Sequence, residues 1–191
     1  MLQTLPDFRP ALTDAQTWVL DLLAGVRPDQ LDLPTPCTEF TVTDLVAHLY
    51  EVVGRVRVLG EGGDIFTENF AVAELPDDVL AGLQERVRVA RLAWTDDASL
   101  ARTVRVPWGE VPGAMALGGY LIETLAHGWD LATATGQPSE VATEVAELAL
   151  SIAQQAIPAE PRGGEVPFGP VVPSEEGASP TLRFVHWMGR G

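Results

Sequence analysis

The sequence predicts a mainly α protein: a four-helix bundle with one additional helix and a short irregular C-terminal tail. Two observations carry this. Apolar residues recur at helical spacing in five separated segments, each several turns long. Between those segments stand clusters of Pro and Gly, and only Thr103 to Val106 reads as a short strand. At 191 residues and 46% hydrophobic, the chain is long enough to bury one core.

The first helix covers about residues 11 to 26, with Trp18, Leu22 and Val26 on one stripe. A loop follows, "RPDQLDLPTPCTEF", punctuated by Pro28, Pro34 and Pro36. Thr41 opens the second helix: its hydroxyl can cap, and Asp44 three residues on favours a helix N-terminus. That helix runs to about Gly60, and "GEGGDIFTENFAVAEL" is a loop. The third helix spans about 77 to 95, and an extended connection carries the short strand. A fourth helix follows Pro112 and ends at Gly136, a residue suited to the left-handed turn after a helix. The fifth begins at Ser139 and ends before Pro158. Residues 1–158 thus read as the bundle. Residues 159–191, rich in Pro and Gly, read as a tail packing on it, with a last short helix after Ser179.

Charge narrows the function. The formal net charge is -15, and all twelve basic residues are Arg. Such a surface repels phosphate backbones and anionic lipid, so neither nucleic acid nor membrane is an expected partner. No apolar run approaches the roughly 20 residues of a membrane span. The opening "MLQTLPDFRP" has neither the basic start nor the apolar core of a secretory signal. A single cysteine, Cys37, excludes an internal disulfide. The expectation is a soluble, cytoplasmic protein that meets small molecules.

The informative stretch is "ETLAHGWDLATATGQ". Glu123, His127 and Asp130 share one narrow face of the fourth helix. A polar stripe on an amphipathic helix is ordinarily wetted by solvent. Here, however, no Lys or Arg occurs from Val111 to Gly136, and the stripe's neighbours are Gly119, Tyr120 and Ala126. This stripe therefore reads as facing an interior site. His48 stands at the edge of the second helix's apolar stripe, and only three histidines exist in the chain. His48, Glu123 and His127 make a two-histidine, one-carboxylate set suited to Zn²⁺ with one open position, or to Fe²⁺ or Ni²⁺ with added waters. Glu-x-x-x-His also arises by chance in many helices, so the spacing needs other support.

That support is a resemblance. "PTPCTEFTVTDLVAHL" and "ETLAHGWDLATATGQP" resemble the actinobacterial family of mycothiol-dependent maleylpyruvate isomerase N-terminal domains, within the DinB-like metal-binding superfamily. "FGPVVP…TLRFVHWMGR" is similar to the short C-terminal segment of one metal-binding subgroup. The resemblance implies a DinB-like four-helix bundle with a divalent metal at its open end, held by His48, Glu123 and His127. It implies a low-molecular-weight thiol such as mycothiol as cofactor, and an isomerase or transferase acting on a small-molecule substrate. Asp130, in "HGWD", takes a catalytic role by orienting His127 or relaying a proton. A metal-dependent hydrolase and a non-catalytic metal- or ligand-binding module remain the alternatives, and a homodimer is compatible with such a bundle.

Among the other residues, Cys37 reads as a small packing residue of its loop, and His186 as a satisfied or surface histidine. Arg55 and Arg57 could meet an anionic substrate carboxylate, but they read first as surface partners of Glu51 and Asp44. Trp108 reads either as lining the mouth of the site or as packing on the bundle.

Overall fold

The computed structural model describes residues 5–164 and 166–191, so the first four residues of the N-terminal stretch lie outside the described residues. Four long helices make the bundle: α1 (Arg9–Ala24), α2 (Val42–Glu61), α3 (Val79–Ala93) and α5 (Gly113–Thr135). α1 packs on α5 and α3, and α2 closes the ring by packing on the same two helices. A one-turn helix α4 (Ala98–Ala101) precedes the hairpin β1 (Thr103–Val106) and β2 (Gly109–Pro112). The two strands pair antiparallel, Val106 opposite Gly109, which leaves Pro107 and Trp108 at the turn. α6 (Thr143–Ala156) packs on α5, and α7 (Pro180–Trp187) packs on α6.

Local chemistry sets the ends of the helices that matter for the site. Thr41 Oγ1 accepts from the Asp44 backbone N–H at 3.2 Å, while Asp44 Oδ2 accepts from the Thr41 N–H at 3.0 Å. This reciprocal box satisfies two N–H groups that would otherwise lack partners at the start of α2. α5 ends on Gly136 with φ +68°, the left-handed conformation expected there. Between these ends Leu45, Val52, Val56 and Leu59 of α2 share one buried core cluster with Leu117, Leu121 and Leu125 of α5. The close approach of α1 to α5 requires Gly128, where a Cβ would fall 2.4 Å from the Trp18 ring.

The structure departs from the sequence reading in several elements, among them the one-turn α4 in a connection read as extended. The short strand has a partner, β2, whose composition gave no strand signal. α6 begins at Thr143 rather than Ser139, because the approach of α7 holds the intervening residues extended. The Val141 N–H donates to Thr181 Oγ1 at 3.2 Å, and Ser179 Oγ donates to Glu140 Oε1 at 2.8 Å. Among the described residues, no helix is long and apolar enough to cross a membrane.

Candidate metal centre

α2 and α5 bring His48, Glu123 and His127 to one place. One ligand atom from each lies within 4.8 Å of those from the other two. His48 Nε2 and Glu123 Oε1 are 3.2 Å apart. The two imidazoles meet edge to face, with centroids 4.8 Å apart and planes at 76°. Phe40, in the loop before α2, packs against both rings, at 5.3 Å from His48 and 6.2 Å from His127. Burial is graded: the side chains of His127, His48 and Glu123 are 11%, 19% and 25% exposed. All three side chains are thus largely buried yet keep some contact with solvent.

These residues fit a divalent ion. Zn–N distances of about 2.0–2.1 Å in tetrahedral geometry separate neighbouring ligand atoms by roughly 3.4 Å. The 3.2 Å between His48 Nε2 and Glu123 Oε1 is close to that spacing. A proton on Nε2 can bridge these atoms, and so can a cation held between them.

The other side of His127 is organised by Asp130. His127 Nδ1 lies 3.1 Å from Asp130 Oδ2. A carboxylate accepts, so this contact is a hydrogen bond in the tautomer with Nδ1 protonated, which leaves Nε2 free to face a cation. Asp130 is fully buried and meets a residue that the sequence reading missed, Arg190. Arg190 Nη2 donates to Asp130 Oδ2 at 3.0 Å, and its Nε donates to Oδ1 at 3.3 Å. The tail thus ends against the residue that fixes His127. "FVHWMGR" lay within a motif noticed in the sequence, but no spacing rule connects positions 60 residues apart.

Cys37 is also closer to the centre than its loop position implied. Its sulfur, a His127 ring nitrogen and an Asp130 oxygen form a second set within 4.8 Å of one another. Arg190 makes this set a poor cation site, because its guanidinium already engages both Asp130 oxygens. Burial pushes the Cys37 thiol above the usual cysteine range, with the Arg190 charge pulling the other way. The remaining residues fall largely as read. Arg55 pairs with Glu51 at 3.0 Å, but Arg57 pairs with Glu61 and Glu68, and Asp44 is occupied by Thr41. His186 shares a 2.9 Å hydrogen bond with Ser174. Trp108 lies over Gly119 and Tyr120, one turn of α5 from Glu123.

Comparisons with known proteins agree with this architecture. Two Mycobacterium tuberculosis proteins, Uncharacterized protein MT0763 (strain CDC 1551 / Oshkosh) and Uncharacterized protein Rv0738 (strain ATCC 25618 / H37Rv), are each 35% identical over 176 residues. Each alignment covers 92% of this chain and 93% of the relative. The crystal structure of the mycothiol-dependent maleylpyruvate isomerase superposes with a TM-score of 0.61 at 19% identity, covering 78% of this chain and 68% of that one. A histidine-to-alanine mutant of that enzyme gives 0.60 at 18% identity, with the same coverage. At this identity the likeness shows a shared fold, the DinB-like helical bundle. The family described as the mycothiol maleylpyruvate isomerase N-terminal domain matches residues 12–132, spanning all four bundle helices except the first turn of α1 and the last of α5. The chain belongs to the mycothiol maleylpyruvate isomerase N-terminal domain family.

Proposed function

We propose that this protein binds one divalent cation, zinc in the first instance, through His48, Glu123 and His127, and uses it in thiol-dependent isomerisation or group transfer. The observation that carries the proposal is the convergence of three donor atoms from two helices in a half-closed setting. Family membership supports mycothiol, or a related small thiol, as the cofactor.

Each residue has a stated task. His48 and His127 offer neutral nitrogens, and the Glu123 carboxylate offsets part of the ion's charge. Asp130 would accept from His127 Nδ1–H and so leave Nε2 to hold the ion. Its burial behind His127 supports this orienting role over direct contact with substrate. Arg190 keeps the Asp130 carboxylate in place. Phe40 packs against both imidazoles and limits their rotation. A divalent ion held by these three residues would supply Lewis acidity that favours deprotonation of a thiol near neutral pH. The exposed edge of Glu123 leaves room for a small substrate to approach.

The test is elemental analysis of untagged protein, followed by turnover assays. We expect about one zinc per wild-type chain and clear loss in His48→Ala, since a three-ligand site then keeps two donors. Zinc-loaded protein should convert an activated cis-alkene only when a small thiol is added. Stoichiometric zinc in His48→Ala contradicts the ligand set. Turnover with water alone contradicts the thiol chemistry and favours a hydrolase. Zinc binding without turnover favours a binding module.

A further inference from the structure

Two buried donors in the tail have no acceptor. Arg162 Nη2 and Trp187 Nε1 are both shut off from solvent, and neither meets a hydrogen-bond partner among the described residues. Natural structures rarely leave such groups unpaired, so each points to an absent acceptor. The two belong together: the Arg162 guanidinium lies over the Trp187 indole, 5.3 Å from the ring centroid. The rest of the guanidinium is engaged by the chain itself. Its Nε donates to the Pro158 carbonyl at 2.9 Å, and its Nη1 donates to the carbonyls of Gly169 and Trp187. These contacts fix the planar fork and leave Nη2 as its unserved end.

The charge is unbalanced as well. Burial acts against the Arg162 guanidinium, and no acid among the described residues offsets it, although the chain carries a net charge of -15. Arg162 also lines an open hollow of about 960 Å³, together with Ala159, Glu160, Pro161, Pro170 and Val171. Pro158 to Pro161, Gly169 and Pro170 are exposed and lie in no helix or strand, so a small shift of this segment bares both donors.

We propose that the tail is a binding site for an amphiphilic monocarboxylate of the medium-chain fatty acid class. Its carboxylate accepts one hydrogen bond from Arg162 Nη2 and one from Trp187 Nε1, and its apolar body lies along Pro161, Pro170 and Val171. Two neighbouring donors match the two oxygens of one carboxylate. One positive charge matches one negative charge, and Glu160 in the same lining disfavours a dianion such as phosphate. The hollow is far larger than a carboxylate, which calls for a ligand with a body. All of these residues lie beyond residues 12–132, which carry the family match, and the site does not depend on the metal reading.

The experiment is a calorimetric titration of the full-length protein with octanoate, with octanol and inorganic phosphate as comparisons. One octanoate should bind per chain, and octanol and phosphate at least tenfold more weakly. Trp187→Phe keeps an aromatic ring against Arg162 but loses the N–H. It should weaken octanoate binding about tenfold or more, as expected for loss of a hydrogen bond to a charged group. In nitrogen–proton correlation spectra of the wild type, octanoate should shift the Trp187 indole N–H peak, a readout that needs no variant to fold. An unmoved peak, or equal affinity in folded Trp187→Phe, overturns the proposal, because a trapped water would then serve both donors. Octanol binding as tightly as octanoate overturns the carboxylate contact, and phosphate binding more tightly overturns the choice of a monoanion. No octanoate binding by the wild type overturns the site altogether.

Discussion

Replacing Arg190 by Met should unlock the tail from the bundle and loosen His127 at once. Asp130 is fully buried, and its two partners are His127 at 3.1 Å and Arg190 at 3.0 and 3.3 Å. Met preserves most of the apolar stem but removes the charge, leaving a buried carboxylate with the imidazole N–H alone. Breaking a buried ion pair from one side costs about 3–5 kcal/mol. The Arg190 side chain is 14% exposed, so some water reaches the pair and the lower end, about 3 kcal/mol, applies. For a chain of this size that corresponds to a fall of about 6–12 °C in melting temperature. Zinc affinity should fall about 10–100-fold, because His127 loses its fixed orientation. Thermal melts and a competitive zinc titration read the two effects separately. The double variant Arg190→Met/Asp130→Leu should regain most of the stability, since no unpaired charge remains, without regaining zinc affinity. A single variant that melts within about 2 °C of wild type refutes the reasoning.

Two further outcomes follow from the packing and from the thiol. Gly128→Ala places a methyl 2.4 Å from the Trp18 ring and 3.0 Å from Val19, so α1 must shift from α5. Denaturant melts should show a loss of about 1–3 kcal/mol, and a stabilised variant would contradict the close helix approach. Cys37 has its pKa raised chiefly by burial, so the folded protein forms thiolate at a higher pH than the unfolded chain. Alkylation by iodoacetamide at pH 8 should therefore lag that of the urea-unfolded protein. The thiol's stability contribution is present below the unfolded pKa and is lost as pH rises through the folded one. Faster labelling of the folded form contradicts this.

The bundle was legible because its helices carry their own signals. Periodic apolar residues in α1, α2 and α5, the Thr41–Asp44 box and Gly136 are local features that tertiary contacts did not override. The Glu123–His127 pair was legible for the same reason, as one helical turn. Its meeting with His48 is a fact of how α2 and α5 pack; the scarcity of histidines suggested the set, and the resemblance supported it. Arg190 was not legible at all, because its partner lies 60 residues away and the Pro/Gly-rich stretch between α6 and α7 has no periodicity that would place it. Cys37 was read as loop packing because sequence distance to His127 says nothing about a loop that folds back beside α5. The start of α6 was misplaced because Thr181 and Ser179, far along the chain, bind Val141 and Glu140 in the segment before the helix.

X-ray absorption at the zinc edge of the loaded protein is the measurement that most directly separates the two sets of ligands sharing His127. Coordination by His48, Glu123 and His127 predicts only nitrogen and oxygen neighbours at about 2.0–2.2 Å, with the outer-shell scattering of two imidazoles. A sulfur neighbour at about 2.3 Å that disappears in Cys37→Ser would move the ion to the opposite face of His127 and contradict the assignment.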